Sequence, residues 1–377
     1  MKKVAKRSNS SRRDKKEDRP WSDLLQDLME NIMKRLFYAD HVRLRLACKG
    51  WRSMYRVPPI RQLPWLMALN ENAWTSCKLF DPVYKKTYNI NINDDDTGLL
   101  LQGKSLKDIS IQECKNGWFF MSESNNPMGN LFLYSPFING RIITLPNLNT
   151  TIQIATFSSV PTDSDCVFFT LNTQTSFGII SISTCCLNDG NWYTRCFEST
   201  IVFGHWNVIC LEGVFYCSNI EGKLGSYSIA SKNWTEQQVE TETISNWLLN
   251  FGIRKNLIVH MVEVDGEICK IYTIEGYGLT LFVYKLDRLK MKWNYTKCLG
   301  DHVIFLGGSD VSFPASVEGR ILNRKVQIRD RIYRCVGTST TSYDVRTART
   351  YTCIKSYPLS KEECYKIWLE PPQSGTH

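Results

Sequence analysis

The stretch Gly98-Leu99-Leu100-Leu101-Gln102-Gly103-Lys104-Ser105 has the spacing of a phosphate-cradling loop. In such a loop backbone amides surround a phosphate, the lysine reaches its outer oxygens and the hydroxyl holds magnesium. The arrangement works only between a buried strand and a helix, because the helix N-terminus supplies converging amides. Here the preceding residues, Asn91 to Thr97, include Asp94-Asp95-Asp96, whose carboxylates repel phosphate, and Ile109 and Ile111 downstream alternate as in a strand. Nucleotide binding is therefore a remote alternative. The three aspartates are the pattern of a solvated loop and receive no function. No Gly-x-Ser-x-Gly elbow, His-Glu-x-x-His helix or Gly-x-Gly-x-x-Gly turn occurs. His41, His205, His260, His302 and His377 stand apart, with no carboxylate or cysteine at ligand spacing. The residues thus nominate no catalytic group, no metal and no cofactor.

The elements that would have to position such groups point elsewhere. Of the formal +9 charge, +6 falls in the first twenty residues, where nine Lys and Arg face Asp14, Glu17 and Asp18. Such a tail cannot bury apolar surface and is expected to be disordered. Lys6-Arg7 and Arg12-Arg13-Asp14-Lys15-Lys16 suit a nuclear import signal or a solvated tail, and both readings stand. The remaining chain is nearly balanced, so nucleic acid is not an expected partner. No apolar run reaches bilayer length and the N-terminus is charged, so a nuclear or cytoplasmic protein is expected, neither secreted nor membrane-spanning. Fourteen cysteines without a Cys-x-x-Cys then read as packed thiols.

From Trp21 to Arg56 the pattern is helical: Leu24, Leu28, Ile32 and Leu36 recur every fourth residue, with Leu25, Met29 and Met33 widening the stripe. Ser22 and Asp23 are natural caps, and Asp23 with Gln26 has capping-box spacing. A second helix is expected after Asp40 as cap, carrying Val42 and Leu46 inward, with Gly50 interrupting before Trp51. A module this small cannot bury both faces, so its apolar surface should dock on something else.

The order Trp21-Ser22-Asp23-Leu24, Leu28, Ile32, Arg35-Leu36, Asp40, Arg43 and Cys48-Lys49-Gly50-Trp51-Arg52 resembles the F-box. In that family the motif is a helical hook that inserts apolar side chains into a Skp-family adaptor, which links to cullin. The resemblance implies adaptor binding through Leu24, Leu25, Leu28, Ile32, Val42 and Trp51. One departure stands out: Leu25 occupies the place where the family usually has proline, whose fixed φ suits a helix start.

After Pro58-Pro59 and Leu63-Pro64-Trp65 the helical period disappears, and short apolar runs alternate with turn signals. Asn139-Gly140, Asp189-Gly190 and Asp265-Gly266 favour tight hairpins. First strands of a degenerate repeat are read in Trp118–Met121, Val167–Thr170, Val214–Cys217, Leu257–His260 and Ile332–Cys335, with partners beginning near Leu131, Phe177, Leu224, Leu281 and Ser342. Several copies close on tryptophan, at Asn191-Trp192, Asn233-Trp234 and Lys292-Trp293. The steps are near the blade length of about 40 to 50 residues, which favours a β-propeller over a related barrel of stacked sheets.

Asn116-Gly117-Trp118-Phe119, Tyr134-Ser135-Pro136-Phe137-Ile138-Asn139-Gly140-Arg141, Leu145-Pro146, Tyr284-Lys285-Leu286-Asp287 and Ile304-Phe305-Leu306-Gly307 resemble the C-terminal domain of plant F-box proteins with a KIB-type β-propeller. The resemblance weakens from Glu318 to Arg331, where a distorted blade is expected. The chain is thus expected to be α+β overall: a basic tail (1–20), an all-α F-box module (21–56), a connector (57–75), a large all-β propeller-like domain (76–372) and a short tail (373–377). The implied function is substrate recognition for a Skp–cullin–F-box ubiquitin ligase, with no catalysis by this chain and an unnamed target protein. The alternative is a propeller interaction module that no longer binds the adaptor.

Overall fold

The computed structural model describes residues 21, 24–52, 57–70, 76–91, 104, 107–124, 130–138, 141–174, 178–200, 207–218, 223–241, 257–274, 280–307, 310–314, 331–336, 339–346, 349–352 and 364–372. The chain divides into two compact units, Met1–Ile60 and Arg61–His377.

The first unit holds α1 (Gln26–Met33) and α2 (Tyr38–Ala47). Met29 and Met33, one turn apart, are buried and pack with Val57. The expected caps are replaced. α1 starts at Gln26 with Leu25 as N-cap and no side-chain cap bond, while Ser22 and Asp23 lie outside the described residues. α2 starts at Tyr38, so Asp40 lies in its first turn, where its charge suits the helix dipole and it bonds Arg43 at 2.8 Å. Leu46, expected inward, is exposed, and Val42 is half-buried. The buried residues of α2 are instead Ala39 and His41. His41 Nε2 donates to the Met33 carbonyl at 2.6 Å, which also accepts from the Leu36 amide at 3.0 Å at the end of α1.

In the second unit the described strands form six sheets. The first contains β1 (Trp65–Leu69), β2 (Ser76–Asp81) and β3 (Lys86–Asn91), and the second β4 (Ile109–Lys115), β5 (Trp118–Glu123), β6 (Leu131–Ser135) and β7 (Arg141–Thr144). β8 (Ile154–Phe157), β9 (Val167–Gln174), β10 (Ile179–Cys186) and β11 (Tyr193–Glu198) form the third. The fourth is β12 (Asn207–Leu211), β13 (Val214–Ser218), β14 (Lys223–Ser228) and β15 (Asn233–Gln238). In the fifth, β16 (Glu240–Thr241) runs parallel to the edge of β17 (Leu257–Val264), β18 (Glu267–Ile274), β19 (Thr280–Asp287) and β20 (Lys292–Thr296). The sixth contains β21 (His302–Leu306), β22 (Val311–Pro314), β23 (Arg331–Val336), β24 (Ser339–Asp344) and β25 (Arg349–Thr352). The last strand, β26 (Tyr365–Leu369), returns to pair with β1 and closes the first sheet.

The sheets follow one another around a ring: β4 lies against β8, β8 against β12, β12 against β17, β17 against β22, and β23 against β26. The second sheet meets the first where Cys114 Sγ lies 3.9 Å from the Trp368 carbonyl and Trp65 packs edge-on to Phe137. This is a β-propeller. Strands such as β1, β5 and β17 are buried on both faces, and the alternation of a strand sends successive side chains to opposite neighbours. On β17, Leu257, Val259 and Met261 join the core shared with the fourth sheet, whereas Val262 and Val264 join that shared with the sixth. On β9, Phe168 packs towards the second sheet and Phe169 and Leu171 towards the fourth. Two-sided burial explains why these strands read as unbroken apolar runs.

Tight turns set the inner hairpins. Asn116-Gly117, Glu212-Gly213 and Asp265-Gly266 carry paired positive φ values of 52° and 77°, 52° and 76°, and 54° and 73°. Two such residues form the turn whose twist matches the strands it joins. Asp265-Gly266 was legible in the sequence, and Asn139-Gly140 lies outside the described residues.

The repeat was read one strand out of phase. Trp118, Val167 and Val214 open the second strands β5, β9 and β13, whereas Leu257 opens β17, next to the ring axis. The strand equivalent to β5 in the fifth sheet is β18, which the charged Glu267 and Lys270 concealed. Trp65–Leu69, expected within the connector, is strand β1. The sixth sheet is irregular: β21 pairs antiparallel with β22 and parallel with β23. Most of Glu318 to Arg331 lies outside the described residues.

Candidate protein-docking site

The helical unit leaves much of its apolar surface uncovered. Leu25, Leu28 and Ile32 are 71, 50 and 40% exposed. At the end and first turns of α1 they share one stripe, since residues three, four and seven apart fall on the same side of a helix. Trp21 and Leu46, 75 and 70% exposed, add to the uncovered apolar area of the unit. The opposite side of α1 turns inward, where Met29, Met33 and Val57 are flanked by Leu24, Leu44 and Trp51.

The six residues proposed for adaptor contact therefore divide. Leu25, Leu28 and Ile32 are open, Val42 is half-buried, and Leu24 and Trp51 pack into the unit's own core. Trp21 and Leu46 were absent from that set. The four-residue period marked the helix without saying which side another element would cover. Leu25 as N-cap has φ −55°, within the range that proline imposes. Burial lowers the His41 pKa more than the Met33 carbonyl raises it.

Two described features weigh against the phosphate-loop pattern. Lys104 donates to the Glu123 carboxylate, so its ammonium is already engaged. The element that follows is strand β4, not the helix such a loop needs. Gly98–Gly103, Ser105 and Asp94–Asp96 lie outside the described residues, as do His205 and His377. Tertiary structure gives the remaining histidines partners that sequence spacing could not reveal. His260 Nδ1 lies 2.7 Å from Asp310 Oδ2, and His302 Nε2 lies 3.2 Å from Asp265 Oδ1. Among the described residues no group of three or more His, Cys, Asp or Glu is disposed to hold a metal. Burial pushes the thiols of Cys77, Cys185 and Cys269 up to about 12, well away from the thiolate form.

One buried cation escaped sequence reasoning. Lys270 on β18 is fully buried, donates to Ser218 Oγ at 2.9 Å and lies 5.0 and 5.5 Å from the ring centroids of Tyr272 and Trp293. Desolvation lowers its pKa to about 7.

A small helical unit with an uncovered apolar stripe, followed by a β-propeller, is the architecture of a protein that docks on others. Family comparison sharpens this. The KIB1-4 beta-propeller model matches residues 78–349 and the F-box domain model matches residues 21–55. The chain belongs to the KIB1-4 β-propeller family and carries an F-box domain in front of the propeller. Similar proteins include an F-box/kelch-repeat protein of Arabidopsis thaliana, 28% identical over 94% of this chain and 96% of its own length. Two F-box proteins of the same plant are each 25% identical, over 94% of this chain and 85% of one, and over 92% of this chain and 87% of the other. Like F-box proteins generally, the chain is a substrate-recognition protein. No helix among the described residues is long and apolar enough to cross a membrane.

Proposed function

We propose that this chain is the target-recognition subunit of a Skp–cullin–F-box ubiquitin ligase, with the F-box tethering it to the adaptor and the propeller holding the target. The observation that carries the reading is the open stripe of Leu25, Leu28 and Ile32 on α1. Uncovered aliphatic side chains on a folded module are the anchors that dominate binding when a partner desolvates them. The mechanism is proximity. Tethering a target lysine near activated ubiquitin raises its effective concentration, and the bond chemistry belongs to other subunits.

A nuclear or cytoplasmic location belongs to this proposal too, as does the division into tail, F-box, connector and propeller, with β1 counted in the propeller. A second reading, a propeller interaction module without adaptor binding, draws on Leu25 in place of proline. Co-purification of the full chain with a plant Skp-family adaptor decides between the two. Binding lost on Ile32→Asp supports the ligase role, and no binding by the folded wild type supports the second reading.

A further inference from the structure

Strand β11 is an edge of the third sheet: among the described residues β10 pairs with it on one side and no strand on the other. Just past its end, the Ser199 amide donates to the Gly178 carbonyl at 2.8 Å, in line with the register that sets Glu198 opposite Ile179. Directly bonded pairs recur at every second residue of an antiparallel ladder. Phe197, Arg195 and Tyr193 therefore bond inward to β10, and the amides and carbonyls of Thr194, Cys196 and Glu198 point outward. Every residue of the strand except Phe197 is exposed. The chain itself shows such an edge in use. In the fifth sheet the outer strand β20 receives β16 in parallel, with the Glu240 amide donating to the Met291 carbonyl at 3.1 Å.

Tyr193, Arg195 and Phe197 share the face of β11 turned to the fourth sheet, where Phe197 packs on the core that includes Phe215, Tyr227 and Trp234. Arg195 Nη1 donates to the Lys232 carbonyl at 2.8 Å, and its guanidinium lies 5.2 Å from the Phe197 ring. Lys232 is fixed in the β14–β15 turn at φ 51°, its amide donating to the Ser228 carbonyl at 2.9 Å, and its Nζ lies 4.5 Å from the Tyr193 ring centroid. These contacts hold two cations beside the edge against a carbonyl and rings, not against carboxylates. Asp189, in the turn before β11, accepts from the Cys186 amide, and Glu236 on β15 accepts from Thr200 and Trp234.

We propose that β11 is a docking edge that takes up an extended segment of the target protein by strand addition, with an acidic residue of that segment set opposite Arg195 and beside Lys232. The inference rests on the propeller being the part that holds the target, as proposed above. In strand addition the main chain supplies affinity and alternate side chains supply specificity. Because Arg195 bonds inward, an added strand meets it at a non-bonded pair, the position where opposed side chains come closest. A carboxylate there is favoured and a lysine disfavoured. Charge on an edge strand also resists pairing with a copy of itself.

The test selects peptides from a phage-displayed random library on the full chain under reducing conditions. The recovered peptides are then titrated by fluorescence anisotropy against wild type, Cys196→Pro and Arg195→Glu/Lys232→Glu. Cys196→Pro deletes one outward amide and leaves the bonds to β10, a place where an edge strand tolerates proline. The recovered peptides should alternate β-branched residues with an acidic residue, and should bind each variant about tenfold more weakly than wild type. Exchanging the acidic residue of the peptide for lysine should abolish binding to wild type and restore it to Arg195→Glu/Lys232→Glu. Peptides that bind all three proteins alike, or that carry no acidic residue, overturn the proposal. Should Cys196→Pro not fold, the charge exchange decides alone, and absence of rescue overturns it. A wild-type dimer in sedimentation velocity that is lost in Cys196→Pro gives the edge to a second copy and also overturns it. Adaptor co-purification is read on the same proteins. Adaptor binding without peptide selection overturns this inference alone, whereas peptide selection without adaptor binding removes the ligase role and leaves the docking edge standing.

Discussion

Replacing Leu28 and Ile32 together by alanine should weaken adaptor binding while leaving the fold intact. Fully burying a leucine or isoleucine side chain is worth about 1.5–3 kcal/mol. Half of Leu28 and two-fifths of Ile32 are open to solvent in the free chain. A partner that covers the open parts gains about 1 kcal/mol from each, or about 2 kcal/mol for the pair. That corresponds to a dissociation constant about thirtyfold weaker in the double variant. Ile32→Asp should cost more, because it carries a carboxylate into a desolvated patch. Exposed substitutions of this kind change folding stability by about 0.5 kcal/mol or less. The assay is titration calorimetry of the full chain against a purified Skp-family adaptor, with a thermal melt of each variant. Trp51→Ala supplies the contrast: its ring packs on the Met29, Met33 and Val57 core, so it should lower helical content as well as binding. An affinity within twofold of wild type for a well-folded Leu28→Ala/Ile32→Ala variant would refute the assignment of this stripe as the docking face.

Three further outcomes follow from the propeller. Lys270→Met should stabilise the chain at pH 7 by about 1–4 kcal/mol, since it removes a buried ammonium while Ser218 Oγ keeps the Lys223 carbonyl as acceptor. The folded Lys270 pKa lies near 7, below its usual 10.5, so wild-type stability recovers as pH rises between these values and the advantage of Met should shrink by pH 9.5 in urea titrations. Gly225→Ala should destabilise by about 1–3 kcal/mol, because a Cβ there would stand 2.0 Å from the Trp234 ring, and thermal melts would register it. Truncation after residue 363 removes β26 with the buried Trp368 and leaves β1 without one partner, so limited proteolysis should find the propeller open.

What the sequence determined by itself was local. The four-residue period of Leu24, Leu28 and Ile32 marked the first helix, the F-box order marked its family, and apolar runs such as Trp118–Met121 marked strands buried on both sides. Asp265-Gly266 specified its hairpin because two neighbouring residues suffice to set a turn. The tertiary structure decided what depends on contacts between distant segments. It placed β26 beside β1, which turns Trp65–Leu69 from a connector into a strand. It set the strand phase around the ring, where charged Glu267 and Lys270 on β18 had masked a strand that two blades bury. It chose which side of α1 stays open, sending Trp51 inward and Leu46 outward. It also brought His260 to Asp310 and Glu113 to Thr156 across blade seams. Periodicity reports which side chains avoid water, but the neighbour that shields each of them is set by how the whole chain closes.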